Sequence, residues 1–141
     1  MAKGTTFASD VLKLILNGTA IANLADNAAS APNTNLYVSL HTADPSAGNQ
    51  TTNEVSYTSY ARVAVARTSG GWTVTSNSAS PAANINFPAC TGGTATATHF
   101  AVGTASSGTG KVLATGAITP NISISSGVTP ILASSSTLTE T

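Results

Sequence analysis

The chain has 141 residues, of which 41% are hydrophobic and only 7% are charged. That length and hydrophobic share suit one domain with one core. Five Lys and Arg, five Asp and Glu and two His leave few groups for acid, base or metal chemistry, so we expect neither enzymatic activity nor a cofactor. A formal net charge of zero argues against nucleic acid as a partner, because such proteins neutralise phosphates with basic patches.

The N-terminal part predicts one short helix over residues 9–17. Ser9 is the candidate N-cap, and Gly18 stands where a glycine would end the helix. The apolar residues that share one helical face are Leu12, Ile15 and Leu16. This apolar stretch is too short to cross a bilayer, so we expect no membrane partner. Residues 27–35 have the composition of a linker.

From residue 35 onward the hydrophobic period changes to two, which predicts β-strands. In residues 36–41, apolar side chains alternate with polar ones, so one face can be buried and the other left polar. Further strands are expected at residues 61–67, 72–76, 85–87, 98–102, 111–118, 121–125, 128–132 and 137–140. Pro130 weakens the run at 128–132, which leaves about eight strands. Gly70 and Gly71 predict a hairpin between the second and third strands.

These elements predict a mainly β protein: an antiparallel β-sandwich, with a jelly roll among the topologies that fit, and a short N-terminal helix. We expect a single domain over residues 1–141. Residues 1–34 would form the helical segment and linker, and residues 35–141 the sandwich. The exposed faces of the strands are polar but uncharged, so charge gives little protection against edge pairing. We therefore expect contacts between strands of different subunits.

One group of side chains has the chemistry of a metal site. His41 and Asp44 lie three residues apart at a strand end, Glu54 follows in the next loop, and His99 lies on a later strand. In the alternative interpretation, Asp44 caps the turn before Pro45 and both histidines are surface or half-buried strand residues. We favour this alternative over a metal site.

Five segments in this order resemble a family of small virion proteins of tailed bacteriophages. They are LYVSLHTADP (36–45), NEVSY (53–57), YARVAV (60–65), INFP (85–88) and ATHFAVG (97–103). In that family a helical segment ending in Gly-Thr, here Gly18 and Thr19, precedes the first strand, and an alternating strand similar to residues 136–141 closes the chain. The resemblance implies a structural component of a phage particle, made in the cytoplasm of the bacterial host.

Members of that family are often catalogued as tail fibre proteins, while others look like capsid cement proteins on the outer surface of the head. We favour the cement role, because the sequence has neither the repeats nor the heptads that extend a fibre. The expected partners are the major capsid protein and a second copy of the chain, with a dimer favoured over a trimer. A tail fibre or baseplate subunit is the alternative.

The expected contact regions are residues 43–60, a polar loop, and residues 2–7 at the N-terminus. The candidate interface residues are Phe7, Tyr37, Asp44, Glu54, Tyr57 and Tyr60. Trp72 fits either an interface or the core. A glycan-binding tail module is a weaker alternative, because three Phe, three Tyr and one Trp make a small stacking platform.

Overall fold

The computed structural model describes residues 4–21, 24–26 and 31–141. Its N-terminal element is helix α1 (Thr5–Leu12), which continues as a π-helical turn over Lys13–Asn17. The predicted N-cap is wrong: the helix begins after Gly4, and Ser9 lies within it. The earlier start adds Ala8 to the buried stripe that contains Leu12 and Leu16. Gly18 ends the helix with a left-handed φ of 67°, as predicted.

Within the described residues the chain forms nine strands. They are β1 (Asn35–His41), β2 (Val63–Ala66), β3 (Trp72–Thr75), β4 (Ser78–Pro81), β5 (Ile85–Asn86), β6 (Ala95–Gly103), β7 (Val112–Ile124), β8 (Ile131–Leu132) and β9 (Leu138–Thr139). They pair antiparallel in three sheets, ordered β2-β1-β6-β7, β3-β4-β9 and β5-β8. The mainly β prediction, with one short N-terminal helix, is therefore confirmed.

Two local predictions about the strands are wrong. β2 and β3 do not form a hairpin, because β2 pairs with β1 whereas β3 pairs with β4 in another sheet. The two strands expected on either side of residues 119–120 are one continuous strand, β7. Pro120 is tolerated there because β7 is an edge strand of its sheet, where a missing N–H need not break the ladder.

One hydrophobic cluster joins the helix to all three sheets. The side chains contributed by the sheets include Leu36, Val38 and Leu40 of β1, Trp72 of β3, Phe100 and Val102 of β6, Leu132 of β8 and Leu138 of β9. Trp72 is completely buried, so it is a core residue. Residues 1–3 and 27–30, part of the expected contact region and of the expected linker, lie outside the described residues. No helix among the described residues has the length and apolarity needed to cross a membrane.

Candidate interaction surface

The polar face of β1 is covered by the loop that follows it. Ser39, His41 and the opposing Ala101 of β6 point away from the apolar core, yet all three are fully buried. Residues 53–55 run along the end of β1, where the Thr42 N–H donates to the Asn53 carbonyl at 2.8 Å and the Val55 N–H donates to the Leu40 carbonyl at 2.9 Å. The expectation of a solvated polar strand face is therefore wrong, because the loop over residues 42–62 lies on it.

Gln50 is the buried centre of this loop. Its side-chain Nε2 donates to the carbonyl of Tyr37 at 3.4 Å, and its Oε1 accepts the N–H of Ala105 at 2.9 Å. Its backbone N–H donates to the Gly110 carbonyl at 2.9 Å. A Cβ atom at Gly103 or Gly110 would overlap the Gln50 side chain, so these two glycines make room for it. Gln50 thus ties the loop to β1 and to the turn between β6 and β7.

His41 lies beneath the same loop and is neutral. Its Nδ1 donates to the Thr52 carbonyl at 2.8 Å, because a carbonyl oxygen can only accept. Its Nε2 consequently accepts a hydrogen bond from the Ser39 hydroxyl at 2.8 Å. Burial lowers the pKa of His41 by penalising the charged imidazolium, while the Thr52 bond and nearby Glu54 act in the opposite direction. The Ser39 and His41 pair is sealed from solvent, so a substrate cannot reach it.

A salt bridge braces the middle of the loop. Arg62 Nε and Nη2 donate to the two carboxylate oxygens of Glu54 at 2.7 and 2.8 Å, and only 3% of the Arg62 side chain is exposed. Arg62 also donates to the carbonyls of Ala105 and Gly108 at 3.0 and 2.8 Å. The bidentate bond to Glu54 raises the pKa of Arg62. The bridge therefore joins the loop to the turn between β6 and β7.

Two tyrosines anchor the end of the loop in the interior. The Tyr60 hydroxyl donates to Glu54 at 2.9 Å and accepts the Leu40 N–H at 3.1 Å, and burial raises its pKa. The Tyr57 hydroxyl donates to the Pro88 carbonyl at 2.8 Å, and burial raises its pKa to about 12. The two rings meet edge to face, with centroids 5.3 Å apart. Both rings pack with the core.

The solvent-facing part of the loop is small and polar. Its exposed residues include Ala43, Asp44, Ser46, Ala47, Thr51, Asn53, Ser56, Thr58 and Ser59. Asp44 Oδ1 accepts the N–H of Ser46 at 3.0 Å, which lowers the pKa of Asp44 and confirms its predicted place in the turn. Ser59 has a φ of 81°, an unusual value for a residue other than glycine, and its hydroxyl lies 2.6 Å from that of Thr91.

The structure divides the predicted interface residues into internal and external groups. Glu54, Tyr57 and Tyr60 come together beneath the loop, where they brace it. Tyr37 is half-buried, while Asp44 and Phe7 are exposed, Phe7 by 41%. Asp44 and Phe7 therefore present the most accessible side chains of this set.

The N-terminal helix is held by a residue that sequence reasoning missed. Arg67, directly after β2, donates to the carbonyls of Ile15 and Leu14, both at 2.6 Å. These carbonyls belong to the last turn of the helix, where a guanidinium satisfies groups that lack helical partners. Gln50 and Arg62 were missed in the same way, because no local pattern marks a polar residue that will be buried.

The candidate metal ligands do not form a cluster. His41 is buried under the loop and bonded on both ring nitrogens, while Asp44 is exposed on the turn. The described residues contain no group of three or more His, Cys, Asp or Glu that could hold a metal ion. The described residues that line a groove of about 480 Å³ between residues 117–122 and 131–137 include no ionisable side chain.

The chain matches a known protein family over most of its length. Residues 5–139 match the family described as Podophage GP4 fiber I protein gp80. No curated protein matches the chain. The matched region contains the helix, all three sheets and the covering loop.

Proposed function

Because the chain belongs to the podophage GP4 fiber I protein gp80 family of phage virion proteins, we propose that it is a non-enzymatic structural subunit that acts by binding other virion proteins. The family match carries this proposal, since it covers residues 5–139 and so takes in the folded chain from the helix to β9. We therefore assign the structural role to the whole folded chain and not to one segment of it.

The internal use of ionisable groups supports a passive binding role. Glu54 and Arg62 bond each other, Arg67 bonds the end of the helix, and His41 is sealed under the loop. Side chains engaged in this way stiffen the surface above them. A surface that is already ordered loses little conformational entropy when a partner binds it, which favours association.

The first candidate position is the outer surface of the head, where the chain would act as a cement protein. A braced loop on a domain without repeats suits a clamp that bridges subunits of the major capsid protein. Stabilisation would follow from mass action: a protein that binds the mature shell and not its precursor lowers the free energy of the mature shell.

The second candidate position is a fibre, which the description of the matching family favours. A chain of 141 residues with three sheets of two to four strands would then form one segment or the attachment point of the fibre. Contacts with neighbouring fibre or neck subunits would replace contacts with the capsid lattice.

Electron cryomicroscopy of the phage that encodes the chain tests both positions. Three particles should be compared: wild type, a deletion of the gene, and the deletion complemented with the gene. Density on the head lattice that is lost on deletion and restored by complementation supports the cement role. Density lost and restored only at the neck or tail supports the fibre role. If mass spectrometry does not detect the chain in wild-type particles, both the cement role and the fibre role are contradicted.

A further inference from the structure

The edge strand β2 has free backbone groups. Within the described residues, β2 pairs with β1 alone, and the Arg67 N–H donates to the Thr34 carbonyl at 2.9 Å in the same register. Hydrogen-bonded pairs alternate along an antiparallel ladder, so Val63 and Val65 bond β1 while Ala64 directs its N–H and C=O outward. An edge of this kind is a template for another strand.

This edge lacks the charged side chains and the proline that commonly oppose strand pairing. Residues 63–66 carry no charge, and both flanking arginines are occupied elsewhere in the chain. Arg62 is bonded to Glu54, and Arg67 is bonded to the helix carbonyls. The opposite edge of the same sheet, β7, contains Pro120 and has register shifts against β6, which are features that oppose edge pairing.

A groove lies beside β2 on the side of the core. It has a volume of about 360 Å³ and is lined by β2, Gly70, Gly71, Pro81 and residues 83–86, none of them ionisable. Val63 and Val65 lie on its β2 side, are half-buried and pack against the core. An occupant should therefore be an uncharged strand whose inward residues are apolar and whose outward residues are small.

The chain itself presents such a strand. We propose that β2 pairs antiparallel with β2 of a second copy, about a two-fold axis at Ala64, to form one continuous eight-stranded sheet. Ala64 would exchange two backbone hydrogen bonds with its equivalent, and Val63 would lie opposite Val65 of the copy, above the groove. A two-fold contact brings the same residues of both copies together, and an uncharged edge meets its equivalent without charge repulsion. At the C-terminal end of β2, Gly71 lies against the Ala66 carbonyl and occupies the place that a paired strand would take. The pairing is therefore centred on Ala64.

Sedimentation velocity of the full chain over a range of concentrations tests the pairing. We expect a reversible dimer whose dissociation constant rises about tenfold or more in Ala64→Lys, because two lysines would oppose each other across the axis. The matched control is Ala117→Lys, an exposed alanine on the β7 edge of the same sheet, which should leave the dimer unchanged.

Charge rescue separates the pairing from a folding defect. An equimolar mixture of Ala64→Lys and Ala64→Glu should form a heterodimer, although neither variant alone dimerises at the same concentration. A monomeric wild-type chain, or a dimer unaffected by Ala64→Lys, would overturn the proposal. A monomeric chain that is lost from particles in Ala64→Lys would instead assign the edge to a strand of another virion protein. A monomer in solution would leave the virion role untouched.

Discussion

At the scale of single residues, Gln50 shows how a polar side chain comes to be fully buried in a protein of low charge. Both ends of its amide and its backbone N–H have partners, and these lie on β1 and on the turn between β6 and β7. A buried amide stabilises a fold only when its hydrogen bonds are made, because an unsatisfied polar group is costly. The position therefore tolerates few replacements.

Replacing Gln50 with Ala should lower the free energy of unfolding by about 3 kcal/mol, since it leaves a cavity and an unbonded Ala105 N–H. Urea unfolding measures the change. The control is Ser56→Ala, an exposed residue of the same loop, with an expected effect within about 0.5 kcal/mol. Equal effects of the two substitutions would contradict the proposed role of Gln50.

His41 predicts a pH dependence of stability. Its folded pKa lies below the unfolded value of 6.5, so the unfolded chain binds the proton more readily. This contribution to stability is complete above pH 6.5 and is lost as the pH falls toward the folded pKa. Urea unfolding at pH 7.5 and pH 5 should show lower stability at pH 5. His41→Gln should flatten this slope, and an unchanged slope in that variant would refute the assignment.

At the scale of elements, the loop over residues 42–62 behaves as an added layer on the sheet. The bridge between Glu54 and Arg62 fixes its middle, and Tyr57 and Tyr60 fix its end. The helix is attached by a similar device, in which Arg67 bonds its last carbonyls. In both elements an arginine beside β2 connects parts of the chain that are distant in sequence.

Glu54→Ala should free the loop while leaving the sheets folded. The substitution leaves the nearly buried Arg62 without its carboxylate partner. We therefore expect the free energy of unfolding to fall by about 2–4 kcal/mol. Relative to wild type, amide hydrogen exchange should become faster in residues 49–62 and stay unchanged in β6. The exposed Asp44→Ala is the control and should leave exchange in residues 49–62 unchanged. Uniform acceleration throughout the chain would show that the loop is not a separate element.

At the scale of the whole molecule, the helix and the three sheets contribute to one hydrophobic cluster. A shared core couples the elements, because none can expose its apolar side chains without uncovering those of another. We therefore expect the folded chain to lose its structure in one cooperative transition.

Trp72 provides the measurement, since it is the only tryptophan in the sequence and is completely buried. Its fluorescence and the far-ultraviolet circular dichroism should report the same urea midpoint. Gln50→Ala should move both midpoints together to lower urea concentration, because both signals report the same global unfolding transition. Two separate midpoints would show that the region around Trp72 unfolds independently of the remaining sheets.

The sequence by itself determined the features that depend on neighbouring residues. The change of hydrophobic period near residue 35 distinguished helix from strand, and Gly18 marked the end of the helix. Asp44 was placed correctly in its turn, because an Asx turn needs only residues close in sequence. The phage virion family also follows from the sequence, through several ordered segments and the match over residues 5–139.

Only the tertiary structure decided which strands pair and which polar groups are buried. β2 and β3 are close in sequence but belong to different sheets, because their partners are β1 and β4. The alternation in β1 correctly predicted two faces, yet a loop covers the polar face. The Gln50 amide and the Tyr60 hydroxyl of that loop bond groups that are distant from them in sequence. Hydrophobic periodicity records how a strand faces its core, and it carries no information about what packs on the other side.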